Sequence, residues 1–255
     1  MARTGLDMKP ASSRVARAEF VPLASDVRGY YALPAGDGPF PAVLVYQEAF
    51  GVNEYVQSEV VRLAEHGFAA LAPDLFHGET LGYGEMERVY ALLGTLTDEG
   101  LLRDVDLAIA YLGARPEIAA GPLGAVGFCM GGRLAFLTAT ARAEAIGAAV
   151  SFYGGSIAPR EQKLFPPLLH RVPELRAELW LMYGADDASI EPDEQGRLCE
   201  ALSRAKKSFG IRVFPGAGHA FASRGRDNYR PVTAEIAWNE TLALFARVLR
   251  QPPAV

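Results

Sequence analysis

Cys129 stands in the run Gly127-Phe128-Cys129-Met130-Gly131-Gly132, after an apolar stretch at 123–128 and before a segment of helical period. This G-x-C-x-G spacing is the thiol form of a nucleophile elbow. The reactive side chain sits on a tight strand-to-helix turn, so the residues two before and two after it must be small. The positive end of the following helix favours a thiolate and a developing oxyanion. In isolation the run equally describes a cysteine packed as a small hydrophobe. The elbow gains weight when an acid and then a histidine follow it, each at the carboxyl end of a strand. Both are present: the run 179–183 leads into Gly184-Ala185-Asp186-Asp187, and 211–214 leads into Gly216-Ala217-Gly218-His219. Of the four histidines, His66 ends a helical segment, His77 lies in a loop and His170 in an irregular stretch, which leaves His219 as the general-base candidate. Either Asp186 or Asp187 can orient its imidazole Nδ1. Such a set supports nucleophilic acyl transfer through a thioester.

The elements that must position these residues follow from hydrophobic period. Short apolar runs at 40–46, 68–72, 123–128, 148–153, 179–183 and 211–214 read as buried strands. Helical period appears at 55–66, 101–112, 131–141 and 192–207, and a closing helix spans 231–249 with Pro231 at its first turn. Gly67 suits the position just past a helix end. The alternation predicts an α/β fold, a mostly parallel twisted sheet flanked by helices. Runs 18–23 and 28–33 alternate in polarity and predict an N-terminal antiparallel hairpin. The stretch 157–176, with Pro159, Pro166, Pro167 and Pro173, is an irregular insertion placed to cover a pocket. There is no linker and no internal repeat, so residues 18–250 are expected as a single domain behind an N-terminal extension at 1–17.

Composition narrows the class of function. With 255 residues, 50% hydrophobic and 22% charged, the chain can build a sizeable core, which excludes disorder, collagen and coiled coil. The net charge of −5 argues against a nucleic-acid or anionic-membrane partner and for a small-molecule substrate. No apolar run approaches the roughly 18 residues of a spanning helix. Residues 1–18 lack a signal-peptide core, so a cytoplasmic location is expected. Two cysteines supply no disulfide framework or cysteine zinc site, and Cys199 falls within a helical segment as ordinary packing. The expectation is a monomer without cofactor or metal.

The chain resembles the dienelactone hydrolase family of α/β-hydrolases over nearly its whole length. Besides the elbow, the likeness rests on Gln47-Glu48-Ala49-Phe50-Gly51-Val52-Asn53, on Pro73-Asp74-Leu75-Phe76, and on Gly218-His219-Ala220-Phe221. The resemblance implies an α/β-hydrolase fold and a Cys-His-Asp triad of Cys129, His219 and Asp187 that opens enol-lactones and related esters. Asp187 takes the fourth place of the family spacing G-x-x-D-x-x-[VI]-P from Gly184, but Glu191 replaces the proline, with Pro192 one later, and Asp186 stays open. The family's matching glutamate, here Glu48, holds the resting thiol and takes part in activating it. Backbone N–H groups of Ala49 and Met130 are the expected oxyanion donors. Two family arginines that grip a substrate carboxylate are absent: their places hold His77-Gly78 and Ser223. Arg224 is the expected replacement, with Arg226 nearby, His77 assisting when protonated and Phe221 lining the substrate. The alternatives are a broad carboxylesterase or thioesterase, and a non-catalytic binder of small molecules on the same fold.

Overall fold

The computed structural model describes residues 14–161 and 164–250. β1 (Val15–Pro22) and β2 (Arg28–Pro34) form the antiparallel hairpin, Pro22 opposite Arg28. β1 begins at Val15, so of the extension expected at 1–17 residues 15–17 lie in the sheet, and 1–13 lie outside the described residues. β3 (Ala42–Tyr46) is buried at every position, as a central strand of a covered sheet must be. It starts two residues later than its apolar run suggests. Pro41 has no N–H to give a ladder, and Phe40 makes only an isolated bridge to Ile118.

α1 (Glu54–Glu65) follows; Asn53 caps it by accepting the Val56 N–H at 3.2 Å, and Gly67 ends it at φ 82°. β4 (Ala69–Pro73) pairs parallel to β3 and antiparallel to β2, which joins the hairpin to the sheet. α2 (Met86–Leu93) was not foreseen from the sequence, its two turns lying between glycine-rich turns. α3 (Asp98–Gly113) begins before its first apolar residue because Thr97 caps it, accepting the Gly100 N–H at 3.1 Å.

β5 (Leu123–Phe128), α4 (Met130–Ala141), β6 (Ile146–Phe152), β7 (Glu178–Gly184), α5 (Pro192–Arg204), β8 (Phe209–Phe214) and α6 (Pro231–Leu249) complete the chain. The sheet order is β1-β2-β4-β3-β5-β6-β7-β8, parallel from β4 to β8. The fold is the α/β-hydrolase arrangement. Among the described residues of 157–176 the insertion holds one 3-10 turn at Leu169–Glu174, with Pro173 inside it. The core beneath the site is aromatic. Phe128, Phe152 and Trp238 are fully buried with ring centroids 5.0 to 6.0 Å apart, so the carboxyl ends of β5 and β6 rest on a tightly packed base.

Candidate active site

Five parallel strands deliver a polar or reactive residue at their carboxyl ends: Glu48 after β3, Cys129 after β5, Tyr153 after β6, Asp187 after β7 and His219 after β8. Cys129 has φ 56°, ψ −116°, a left-handed conformation held by packing on both sides. The glycines flanking it are required by close approach. A Cβ on Gly127 would stand 1.9 Å from the Gly131 carbonyl oxygen, and one on Gly131 would stand 2.3 Å from the Tyr46 carbonyl oxygen. The Cys129 N–H donates to the Phe152 carbonyl at 3.0 Å, fixing the turn against β6.

His219 faces Cys129 from the β8–α6 loop and shares its Nδ1 hydrogen bond with Asp187 Oδ2 at 2.8 Å. Asp187 is buried, and its other oxygen accepts the Ser189 N–H at 2.8 Å, so the carboxylate has one orientation. Asp186 points to solvent. Burial alone would lower the His219 pKa. The sulfur of Cys129 and the carboxylate of Asp187 outweigh it and raise it to about 10.

Glu48 is 1% exposed; one oxygen accepts the Ser223 hydroxyl at 3.0 Å and the other has no hydrogen-bond partner. Burial pushes its carboxyl upward, against Arg226, Ser223, His219 and Tyr153, which favour the anion. Ser223 and Tyr153 escaped the sequence reading. The Tyr153 ring lies 5.2 Å from the His219 ring on a backbone with φ 39°. Its place directly after a buried strand was the available signal.

Ala49, Met130, Cys129 and His219 line one cavity of about 560 Å³, together with Arg226 and Asn228. Three sequence-derived expectations are corrected here. Arg224 does not line this cavity; it is half-exposed, 3.9 Å from Glu59 on α1. Arg226 takes the cavity position, its guanidinium over the rings of Phe50 and Tyr83 at 5.2 and 5.3 Å. The turn at Gly225, φ 86°, lies between the two arginines. His77 is also outside the cavity, with Nε2 2.7 Å from Asp104 Oδ2. Phe221 is fully buried against Tyr153 and Phe214, at 5.3 Å from each, and belongs to the core. Among the described residues, no group of three or more histidines, cysteines or acids is placed to hold a metal ion. None of their helices is long and apolar enough to cross a membrane.

Residues 27–249 match the dienelactone hydrolase family. The chain belongs to that family. A Bradyrhizobium protein named "Probable 2-oxo-3-(5-oxofuran-2-ylidene)propanoate lactonase" is 35% identical over 216 residues, 84% of this chain and 86% of its own length. A Methylorubrum extorquens protein named "Putative carboxymethylenebutenolidase" is 33% identical over 215 residues, 83% of this chain and 74% of its own. The crystal structure titled "Putative Dienelactone Hydrolase" from Klebsiella pneumoniae superposes with a TM-score of 0.83 at 32% identity, covering 91% of this chain and 98% of that one. Membership places this chain among hydrolases, and the dienelactone hydrolase fold is the one its sheet displays.

Proposed function

We propose that this family member opens enol-lactones or cleaves small activated esters with Cys129 as nucleophile, His219 as acid and base, and Asp187 as the group that orients the imidazole. The observation that carries the reading is Cys129 on its strained turn, facing a histidine whose Nδ1 is held by a buried carboxylate at 2.8 Å. The names of the two relatives, a lactonase and a carboxymethylenebutenolidase, agree with this substrate class.

The Cys129 sulfur attacks the ester carbonyl, with its proton resident on His219. The tetrahedral oxyanion lies against the N–H groups of Ala49 and Met130. The C–O bond then breaks, His219 gives its proton to the departing enolate or alcohol oxygen, and an acyl thioester remains on Cys129. Water enters, loses a proton to His219 and attacks the thioester, which releases the acid and restores the sulfur. Amides are poor substrates, since the thiolate leaves the tetrahedral adduct more readily than an amine. Glu48, anchored by Ser223 with one oxygen unpartnered, acts on the Cys129 sulfur. Of the two arginines lining the cavity, Arg133 is bound to Asp98, and Arg226 takes the substrate carboxylate, where Arg224 was expected.

The deciding experiment compares wild type with Cys129→Ala on a dienelactone and on a neutral aryl ester, with intact-mass detection of an acyl adduct. Turnover of at least one substrate by wild type, lost in the variant and accompanied by a hydroxylamine-sensitive adduct, supports the reading. No turnover of either leaves a binder on a hydrolase fold and ends the proposal.

A further inference from the structure

The cavity beside Cys129 has apolar walls that take no part in the chemistry above. α2 contributes Met86, Val89, Tyr90 and Leu93, the i, i+3, i+4, i+7 stripe of one helix face. In a helix packed only for stability such a stripe is covered by the core. Here Val89 and Leu93 are buried, while Met86 and Tyr90 are 40% and 62% exposed and line the cavity that holds Cys129. The neighbouring positions Glu87 and Arg88 face solvent, Arg88 pairing with Glu85.

Leu164 and Phe165 of the insertion line the same cavity, and Leu164 is 42% exposed. Phe165 is held in place. The buried Arg133 guanidinium lies 4.8 Å over its ring, fixed by two bonds to Asp98 at 2.6 and 3.0 Å and one to the Pro166 carbonyl at 2.7 Å. Contiguous exposed apolar side chains around a reactive group mark a ligand groove, and pre-set walls lower the cost of filling it. The cavity volume of about 560 Å³ suits an organic ligand, and its lining joins these apolar side chains to a few polar ones, Ser156, Ser189, His219, Arg226 and Asn228 among them.

We infer that the cleft between α2 and residues 164–165 is an acyl-group subsite, and that this enzyme selects esters or lactones whose acyl half carries a medium-length alkyl chain or a ring. The assignment rests on the hydrolase reading proposed above. His219 must protonate the departing oxygen, which commits its end of the cavity to the alcohol half. The acyl half, bonded to Cys129 in the intermediate, takes the apolar walls.

The test is kcat/KM on 4-nitrophenyl acetate, butyrate, hexanoate and octanoate for wild type, the double variant Met86→Ala/Tyr90→Ala, and Glu87→Gln as an outer-face control. Both apolar positions are substantially exposed, so far-UV circular dichroism and thermal midpoint should match wild type. Wild type should gain about two- to fourfold per methylene up to hexanoate. The double variant should lower the hexanoate-to-acetate ratio about tenfold, and Glu87→Gln should keep it. Acetate turnover with a flat or falling chain-length profile, or a double variant with the wild-type ratio, overturns the subsite alone. Absence of turnover on every ester, acetate included, overturns the subsite; the hydrolase reading falls with it only if the same preparation also fails to open a dienelactone.

Discussion

Two histidine–aspartate pairs in this molecule have nearly the same geometry and very different surroundings. His219 meets Asp187 at 2.8 Å, and His77 meets Asp104 at 2.7 Å. Both aspartates are buried, and both histidines follow a strand at its carboxyl end. The differences lie in the ring atom engaged and in what occupies its other side. Asp187 binds Nδ1 and the ring turns toward Cys129 and Tyr153. Asp104 binds Nε2 of a ring that is 43% exposed and borders a separate groove beside α3. A histidine held by a carboxylate becomes a candidate base only when its free nitrogen meets a nucleophile in a sheltered cavity. The other pair ties the loop after β4 to α3.

The largest contrast is expected from breaking each pair in turn. With Cys129→Ala as the baseline of lost activity, Asp187→Asn should reduce kcat about 10³- to 10⁴-fold by leaving the imidazole wrongly oriented. Asp104→Asn should leave kcat/KM within about twofold and lower the thermal midpoint, since its effect is that of one partly exposed bond of about 1 kcal/mol. Equal losses in the two variants would erase the distinction.

Next in size is the arginine contrast on the same loop. Arg226→Ala should raise KM about tenfold or more for carboxylate-bearing substrates and little for neutral esters, whereas Arg224→Ala should change neither. Paired kinetics on a dienelactone and its methyl ester measure both.

A smaller effect concerns pH. The folded-state pKa of His219 is raised from 6.5 to about 10, so the stability it contributes is fully present below about pH 6.5 and is lost as pH climbs through 10. Thermal midpoints from pH 6 to 10 should therefore fall more steeply in wild type than in His219→Gln; parallel curves would show that the imidazolium is not held as described. The smallest measurement is thiol labelling at pH 7. Cys129, beside His219, should react with iodoacetamide well before Cys199, whose thiol is pushed upward by burial on α5.

Much of this was readable along the chain. The strand ends carrying Cys129, Asp187 and His219 came in their order, and Gly127 reports a clash with Gly131 four residues on, which spacing reveals, whereas the need for Gly131 comes from the Tyr46 carbonyl of β3. α2 was lost because two turns between Gly82, Gly84 and Gly94 look like punctuation, and its apolar stripe is split between the core, at Val89 and Leu93, and the cavity edge, at Met86 and Tyr90. His77 and Arg224 were misplaced for a related reason: each has the right chemistry at nearly the right position, and only the surroundings redirect it.

The sequence by itself determined the alternation of strands and helices, the tight turn at Cys129 and the family, because these depend on local sterics, hydrophobic period and patterns of adjacent residues. The tertiary structure decided that Asp187 and not Asp186 meets His219 across 32 residues, that Ser223 holds Glu48 across 175, and that Arg226 and not Arg224 borders the cavity. Those choices turn on which side chains the sheet order brings within a few ångströms. No spacing along the chain encodes a distance between ends of strands that are neighbours only after the sheet has formed.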